Sequence, residues 1–128
     1  MRVLLDTHAL LWWMADSRRL SRASHQSIAN ESNDVLVSAA SAWEISTKFR
    51  IGQLPGGEAV ASAIAGRVTH QGFTALAIDL ADAERAGRLP GPHRDPFDRM
   101  LIAQALARGL PVVSVDEIFD RYGVNRIW

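Results

Sequence analysis

The 128-residue chain contains no cysteine, so neither a disulfide framework nor a thiolate metal site can form. A reducing cytoplasm is compatible with this composition. Long hydrophobic runs are also missing, because the apolar stretch 9–15 is far shorter than the roughly 20 residues that a membrane-spanning helix needs. Polar residues Asp6, Thr7 and His8 interrupt the N-terminal segment, which therefore lacks the build of a secretory signal. We expect a soluble, cytoplasmic protein with no membrane association.

Net charge is absent too, since 14 basic residues balance 14 acidic ones. Composition alone therefore gives no electrostatic footprint for nucleic acid, and any such surface must be local. Lysine is nearly absent, because Lys48 is the only one and the other basic residues are arginine. Arginine favours bidentate contacts with phosphate or carboxylate, although a codon-biased genome explains the same composition.

What the chain does contain is ordinary for a globular protein: 48% hydrophobic and 22% charged residues. Its length suits one domain, residues 1–128, with one substantial core. Short apolar segments typical of buried parallel strands occur at 2–5, 34–38, 73–78 and 112–115, with a weaker one at 126–128. Helical segments are predicted between them at 7–15, 21–31, 39–51, 58–70, 80–87 and 96–108, with a short turn near 117–122.

This alternation predicts an α/β fold with a central, mostly parallel sheet of four to five short strands flanked by helices. The segment 9–14 is apolar on every face of a helix, whereas a surface helix would show one apolar stripe. Either the core of this domain or an interface with another chain must cover it.

Four carboxylates stand where a strand ends or within a predicted helix, namely Asp6, Glu44, Asp98 and Asp116. Asp6 and Asp116 each end an apolar run, so in a parallel sheet both lie at the carboxyl edge, where open α/β sheets place their ligand sites. Each close pair of such charges costs roughly 4 kcal/mol at an effective dielectric of 20. A divalent cation or shared protons would have to relieve that repulsion.

Each acid also has a purely structural interpretation. Asp95 is favoured as the cap of the helix that begins at Pro96, and Asp98 in its first turn complements the helix dipole. A helical glutamate such as Glu44 most often faces solvent. Asp6 and Asp116 fit the turn that follows a strand. A shared site is favoured by the combination of two strand-end acids, one helix-start acid after a loop, and no compensating lysine at the strand ends.

Hard oxygen ligands without histidine or cysteine suit Mg²⁺ or Mn²⁺ better than Zn²⁺. Such a site polarises a phosphoryl oxygen and activates water, so no side-chain nucleophile is required. The four histidines, most of them expected at the surface, show no metal-ligand spacing: His8, His25, His70 and His93. No serine lies in a nucleophile-elbow context. The pattern predicts a metal-dependent phosphodiesterase.

The motifs resemble the PIN-domain ribonucleases, and most closely the toxin half of VapBC-type toxin–antitoxin pairs. The resemblance spans nearly the whole chain, and its most specific block is 95–105, with sequence DPFDRMLIAQA. The other matching segments are LLDTH at 4–8, SAWEI at 41–45 followed by Lys48, and SVD at 114–116.

The resemblance implies that Asp6, Glu44, Asp98 and Asp116 bind Mg²⁺ or Mn²⁺, and that Thr7 forms hydrogen bonds within the pocket. It implies endonucleolytic cleavage of RNA by metal-activated water, leaving a 5′-phosphate and a 3′-hydroxyl. It also implies a homodimer that is neutralised by a cognate VapB-like antitoxin. Contacts with RNA phosphates or antitoxin are then expected from four basic residues, Lys48, Arg50, Arg94 and Arg99.

Three other classes of protein were weighed. A response-regulator receiver has a similar size and acidic pocket, but it needs adjacent acids after its first strand and a lysine after its last; here Thr7 follows Asp6, and Glu117 follows Asp116. Haloacid-dehalogenase phosphatases place a second Asp where this chain has His8. A catalytically silent PIN-like module that binds RNA or protein is the remaining alternative, and only an activity measurement separates it.

Overall fold

The computed structural model describes residues 1–55 and 57–128. Five short strands form one sheet in the order β3-β2-β1-β4-β5, and every neighbouring pair is parallel. The strands are β1 (Arg2–Leu5), β2 (Asp34–Ser38), β3 (Thr74–Leu76), β4 (Val112–Val113) and β5 (Arg126–Ile127). The predicted α/β fold with a parallel sheet is thus confirmed, including its weak last strand.

Helices fill the connections between the strands. They are α1 (Thr7–Met14), α2 (Arg22–Ala29), α3 (Ala39–Arg50), α4 (Glu58–Ala61), α5 (Ile64–His70), α6 (Leu80–Arg88), α7 (Pro96–Arg108) and α8 (Ile118–Arg121). Their ends follow local chemistry: Asp95 caps α7, and Gly109 with φ of 63° ends it in the left-handed conformation that glycine adopts without strain. None of the described helices is both long and apolar enough to cross a membrane.

Alternation along the central strands divides the core into two layers. Val3 and Leu5 of β1 belong to the layer that includes α1, whereas Leu4 between them belongs to the layer that includes α7. All three are fully buried. Because successive side chains of a strand point to opposite faces, each face of the sheet needs its own covering helices. β1 is the central strand of the sheet, so its carboxyl end lies between the two core layers.

The apolar segment of α1 is covered mainly by its own chain. Ala9 and Leu10 are fully buried, and Trp13 packs against the first core layer. Trp12 lies at the margin, where its ring centroid is 5.7 Å from that of Trp128. The core explanation is therefore confirmed for the inner face of this helix.

A buried polar network joins the end of β2 to α6 and α7. The Ser38 hydroxyl donates to Gln104 Oε1 at 2.6 Å, and Gln104 Nε2 donates to Asp82 Oδ2 at 3.2 Å. Arg108 completes it with two bonds to the Asp82 carboxylate, at 2.9 and 3.0 Å. These polar groups are each satisfied, so their burial need not destabilise the fold.

Several element boundaries differ from the sequence prediction: the strand expected over 73–78 spans only Thr74–Leu76, and the helix expected over 21–31 spans Arg22–Ala29. The single helix expected over 58–70 is two helices, α4 and α5, because Ala63 leaves the helical conformation with φ of −152°. No glycine or proline marks that break, and Val60 and Ile64 remain buried on either side of it. The strand expected over 112–115 stops at Val113, and Val115 is 45% exposed as the chain turns away from the sheet.

Candidate active site

Asp6 and Asp116 are joined at the carboxyl edge of the sheet by a single hydroxyl group. Asp6 follows β1 and Asp116 follows the neighbouring β4, as the strand-end argument required. The buried Ser114 hydroxyl donates to Asp6 Oδ2 and accepts the N–H of Asp116 at 2.9 Å. Ser114 therefore sets the spacing between two acidic residues that are 110 positions apart in sequence.

Asp6 is held rigidly in a buried position. It caps α1, its Oδ1 accepting the N–H of Ala9 at 2.7 Å, and only 5% of the residue is exposed. Burial raises the pKa of Asp6 above its ordinary value of 3.8; the bonds from Ser114 and Ala9 oppose this, and the charge of Glu44 adds to it. A carboxylate in this setting gains from any nearby cation.

Glu44 is buried, so the structural alternative for this residue, a helical glutamate that faces solvent, does not apply. Only 3% of Glu44 is exposed, whereas 60% of its neighbour Trp43 is exposed. The Thr7 hydroxyl donates to Glu44 Oε1 at 2.6 Å, and the Lys48 ammonium, one helical turn on, pairs with Oε2. These partners satisfy the charge that burial would otherwise penalise. The predicted role of Thr7 as a hydrogen-bonding residue of the pocket agrees with this geometry.

Asp98 and Asp95 divide two roles at the start of α7. Asp95 Oδ1 accepts the N–H groups of Phe97 and Asp98, so its favoured role as a helix cap agrees with the geometry. The Asp98 carboxylate points elsewhere, with Oδ2 2.9 Å from His93 Nε2. Burial raises the pKa of Asp98 to about 6; the His93 hydrogen bond opposes this shift, while the charges of Asp95 and Glu44 add to it.

Asp116 is the outlying member of the four. It is exposed, and its Oδ1 accepts the N–H of Ile118 at 3.0 Å in the turn that begins α8. This is the turn-forming role that a strand-end aspartate commonly has. The pKa of Arg126 is raised chiefly by its hydrogen bond to Asp120, and the negative charge of Asp116 adds to that shift. Asp116 is thus tied to Asp6 through Ser114 and its own backbone, while its carboxylate faces the α8 side of the edge.

The four basic residues expected to contact phosphate or antitoxin fall into two groups. Lys48 is paired with Glu44, and Arg99 donates to the carbonyl oxygens of Ala86, His93 and Leu89 at 3.1, 3.0 and 2.5 Å. The expectation that Arg99 contacts RNA phosphates or the antitoxin is corrected, because its guanidinium forms hydrogen bonds with the backbone of the loop before α7 and with the end of α6. Arg50 and Arg94 are exposed, and within 1–55 and 57–128 neither forms an ion pair.

The oxygen atoms of the site carboxylates are of the type that binds hard divalent cations. Asp6, Glu44 and Asp98 offer only oxygen and come from three different elements; burial raises the pKa of Asp6 and of Asp98, and the charge of Glu44 adds to both shifts. In the side-chain positions of the described residues, however, no three of these acids, with or without a histidine, come close enough to hold one ion. Each carboxylate is instead engaged with the protein partners described above.

Sequence reasoning missed two residues of this edge. The sequence shows Ser114 only as part of the matching segment 114–116, and a single serine gives no signal that its hydroxyl will bridge two strand ends. The expectation that most histidines lie at the surface agrees with the exposed His8, His25 and His70 but not with His93. Its side chain is only 24% exposed, and its place five residues before Asp98 was the one available signal.

Comparison with known proteins assigns the family. A family model described as "PIN domain" matches residues 3–125. Among curated proteins, "Ribonuclease VapC22" of Mycobacterium tuberculosis is 34% identical over 123 residues, covering 89% of this chain and 86% of that protein. The comparisons include the structure of M. tuberculosis VapC20, a sarcin-ricin loop cleaving toxin, with a TM-score of 0.73, 15% identity and 95% coverage of each chain. VapBC2 from Rickettsia felis, bound to a promoter DNA fragment, has a TM-score of 0.69 at 12% identity and full coverage.

Proposed function

Because this chain belongs to the PIN-domain family, we propose that it is a divalent-metal-dependent endoribonuclease and the toxin of a type II, VapBC-like toxin–antitoxin pair. One observation carries the proposal: Asp6, Glu44 and Asp98 come from three distant segments of the chain, and the charge of Glu44 acts on both of the other two carboxyl groups near the carboxyl edge of the sheet. The similarity to Ribonuclease VapC22 over most of both chains agrees with it. The receiver and dehalogenase alternatives lose their support with the family assignment.

We propose Asp6, Glu44, Asp98 and Asp116 as the residues that hold Mg²⁺ or Mn²⁺. PIN-domain VapC nucleases are in general dependent on divalent metal. When bound among these carboxylates, such a cation would polarise a phosphoryl oxygen and would lower the pKa of a bound water molecule toward neutrality. The raised pKa values of Asp6 and Asp98 support the choice, because both acids gain stabilisation when a positive charge arrives beside them.

The chain's own groups orient these acids. Ser114 and the N–H of Ala9 fix both oxygens of Asp6, and Thr7 fixes one oxygen of Glu44. Lys48 holds the other Glu44 oxygen and keeps one positive charge within range of Asp98. With a pKa of about 6, Asp98 is mostly ionised at pH 7, so the edge is predominantly anionic where the cation would bind.

The test is cleavage of labelled RNA by the purified, antitoxin-free chain in Mg²⁺ or Mn²⁺, with and without chelator. We expect chelator-sensitive cutting that leaves 5′-phosphate ends. Asp98→Asn and Glu44→Gln keep side-chain shape but remove one negative charge each, so either should lower the cleavage rate at least about 100-fold. Asp79→Asn is the matched control, because Asp79 caps α6, is mostly exposed and makes no contact with the site acids.

Cutting that survives chelator and both substitutions would contradict the proposed chemistry. No cutting of several structured RNAs, by a folded chain whose melting temperature rises with Mn²⁺, would favour the binding-only alternative, since a ligand that binds only the folded state stabilises it. The melting temperature thus separates a metal site without turnover from the absence of a site.

An RNA-cutting toxin needs an inhibitor, and we propose a VapB-like antitoxin as its partner. The solved relatives of this fold include VapBC2 with its promoter DNA and a toxin–antitoxin complex from Klebsiella pneumoniae. We also propose a homodimer, and a cytoplasmic location, where RNA and antitoxin are found together. Arg50 and Arg94 remain candidates for contacts with RNA phosphates or with the antitoxin.

A further inference from the structure

A cavity of about 510 Å³ lies beside the acidic edge, between the loop that precedes α7 and the short helix α8. Its volume falls within the roughly 300–1,000 Å³ of sites that bind small organic groups. It is lined by Pro90, Gly91, Pro92, His93, Ile118, Arg121 and Tyr122. None of these residues was singled out by the sequence motifs of the acidic site.

Two walls of the cavity are bonded directly to acids of the site. His93 lines the cavity and its Nε2 contacts Asp98, while Ile118 also lines it and its N–H contacts Asp116. The cavity is therefore separated from Asp98 by the His93 side chain and from Asp116 by the Ile118 backbone.

The loop and Tyr122 hold each other in fixed positions. The Tyr122 hydroxyl donates to the carbonyl of Pro90 at 2.8 Å, which fixes the orientation of the ring. Gly91 has φ of 90°, and a Cβ on it would lie 2.8 Å from the Tyr122 hydroxyl oxygen, so only glycine suits this approach. These contacts place the Tyr122 ring beside the proline-rich loop, so part of the cavity wall is aromatic.

The remaining lining groups give the cavity a cationic edge. Arg121 is exposed, and within 1–55 and 57–128 its guanidinium has no hydrogen-bond or ion-pair partner. A planar aromatic side chain, an imidazole, proline rings and one available arginine are groups that together recognise a base and its phosphate. Aromatic rings stack on bases, and arginine pairs with phosphate in a bidentate manner.

We propose that this cavity is a nucleobase subsite, which takes up the RNA base next to the phosphodiester bond that is cut. The base stacks on the Tyr122 ring, and Arg121 contacts the phosphate that follows. The inference rests on the proposed ribonuclease function and adds a binding site for one RNA base. It assigns Tyr122 and Arg121 to substrate binding, apart from the acidic residues.

Tyr122 is the only tyrosine of the chain, which makes the first test direct. With ring-labelled tyrosine, the protein gives NMR signals from one aromatic ring of this type. We would titrate it in chelator with the four nucleoside 5′-monophosphates, AMP, CMP, GMP and UMP. At least one should move the Tyr122 ring signals upfield in a saturable manner, because a stacked base shields the ring. Arg121→Ala should weaken that binding, and the exposed Arg85→Ala should not.

The second test uses RNA. Affinity for a short fluorescein-labelled single-stranded oligoribonucleotide would be measured by anisotropy in chelator, where metal-dependent cutting cannot occur. Loss of one stacked base predicts that Tyr122→Leu weakens binding roughly 5- to 150-fold. Tyr122→Phe keeps the ring but loses the bond to Pro90, so it should retain most of the affinity. Urea unfolding of both variants establishes that each is folded.

The outcomes separate this inference from the proposed function. Chelator-sensitive RNA cutting by the wild type, with no shift of the Tyr122 signals by any nucleotide and unchanged affinity in Tyr122→Leu, would overturn the subsite while the ribonuclease stands. Saturable nucleotide shifts in a chain that cuts no RNA would support the subsite and count against the enzyme. Shifts produced by an acidic peptide but by none of the nucleotides would also overturn the inference.

Discussion

Arg99 offers a measurable link between the fold and the acidic site. Its guanidinium donates to the carbonyl oxygens of Ala86, Leu89 and His93, which belong to the last turn of α6 and the loop after it. Within the described residues it pairs with no carboxylate. It thus satisfies carbonyls that a helix end leaves without partners, and it anchors the loop that carries His93 onto Asp98.

The cost of removing Arg99 follows from those three bonds. A hydrogen bond with a charged partner contributes about 1.5–3 kcal/mol. The loop carbonyls of Leu89 and His93 can regain water after truncation, whereas Ala86 is a buried residue. We therefore expect Arg99→Met to lower the free energy of unfolding by roughly 2–4 kcal/mol, well below the full sum of three bonds. Arg99→Lys keeps the charge but lacks the planar fork, and it should lose most of the same free energy.

The assay is urea unfolding followed by tryptophan fluorescence, with the exposed Arg85→Ala as the matched control. We expect the control to lie within about 0.5 kcal/mol of wild type. RNA cleavage by Arg99→Met under conditions where it stays folded should also fall, because the loop is no longer held against Asp98. An unfolding free energy unchanged in both Arg99 variants would refute the anchoring role, and full activity in a destabilised Arg99→Met would refute its link to the site.

Two further predictions concern helix capping and pH. Asp95→Asn should leave the free energy of unfolding almost unchanged, because Asn also accepts the N–H groups of Phe97 and Asp98. Asp95→Ala should lower it by about 1 kcal/mol in a thermal or urea melt. Equal stability of the two variants would contradict the capping role. The pKa of Asp82 is lowered from 3.8 chiefly by its bond to Arg108, so the stability it contributes is present above about pH 4 and is lost as pH falls through the folded-state value. Asp82→Asn should therefore be less stable than wild type at pH 7, and the difference should shrink below pH 4; a difference independent of pH would contradict this assignment.

Much of the fold could be predicted from the sequence, because its signals are local. The apolar runs at 2–5 and 34–38 specify buried strands, and DPF at 95–97 specifies a capped helix start. The break at Ala63 could not be predicted, since neither glycine nor proline marks it and tertiary packing decides it. That residues 1–128 form a single domain stays a prediction.

The candidate site was predictable only in part. Asp6 and Asp116 could be placed at one edge from strand ends alone. The burial of Glu44 could not, because it depends on the hydroxyl of Thr7, which lies 37 positions away in the sequence. Likewise, the hydroxyl of Ser114 can link Asp6 to Asp116 only because β1 pairs in parallel with β4. A contact between two segments that are far apart in the chain leaves no local pattern in a single sequence, so it could not be predicted.

The most direct test of the central claim titrates Mn²⁺ into the purified, antitoxin-free chain and follows bound metal and RNA cleavage in the same samples. The metal can be followed by electron paramagnetic resonance, in which free Mn²⁺ gives the sharp signal. We predict that binding and cleavage saturate together, and that Asp98→Asn loses both while Asp79→Asn keeps both. Cleavage at full rate without bound metal, or in Asp98→Asn, would contradict the assignment of these acids to a metal-dependent ribonuclease site.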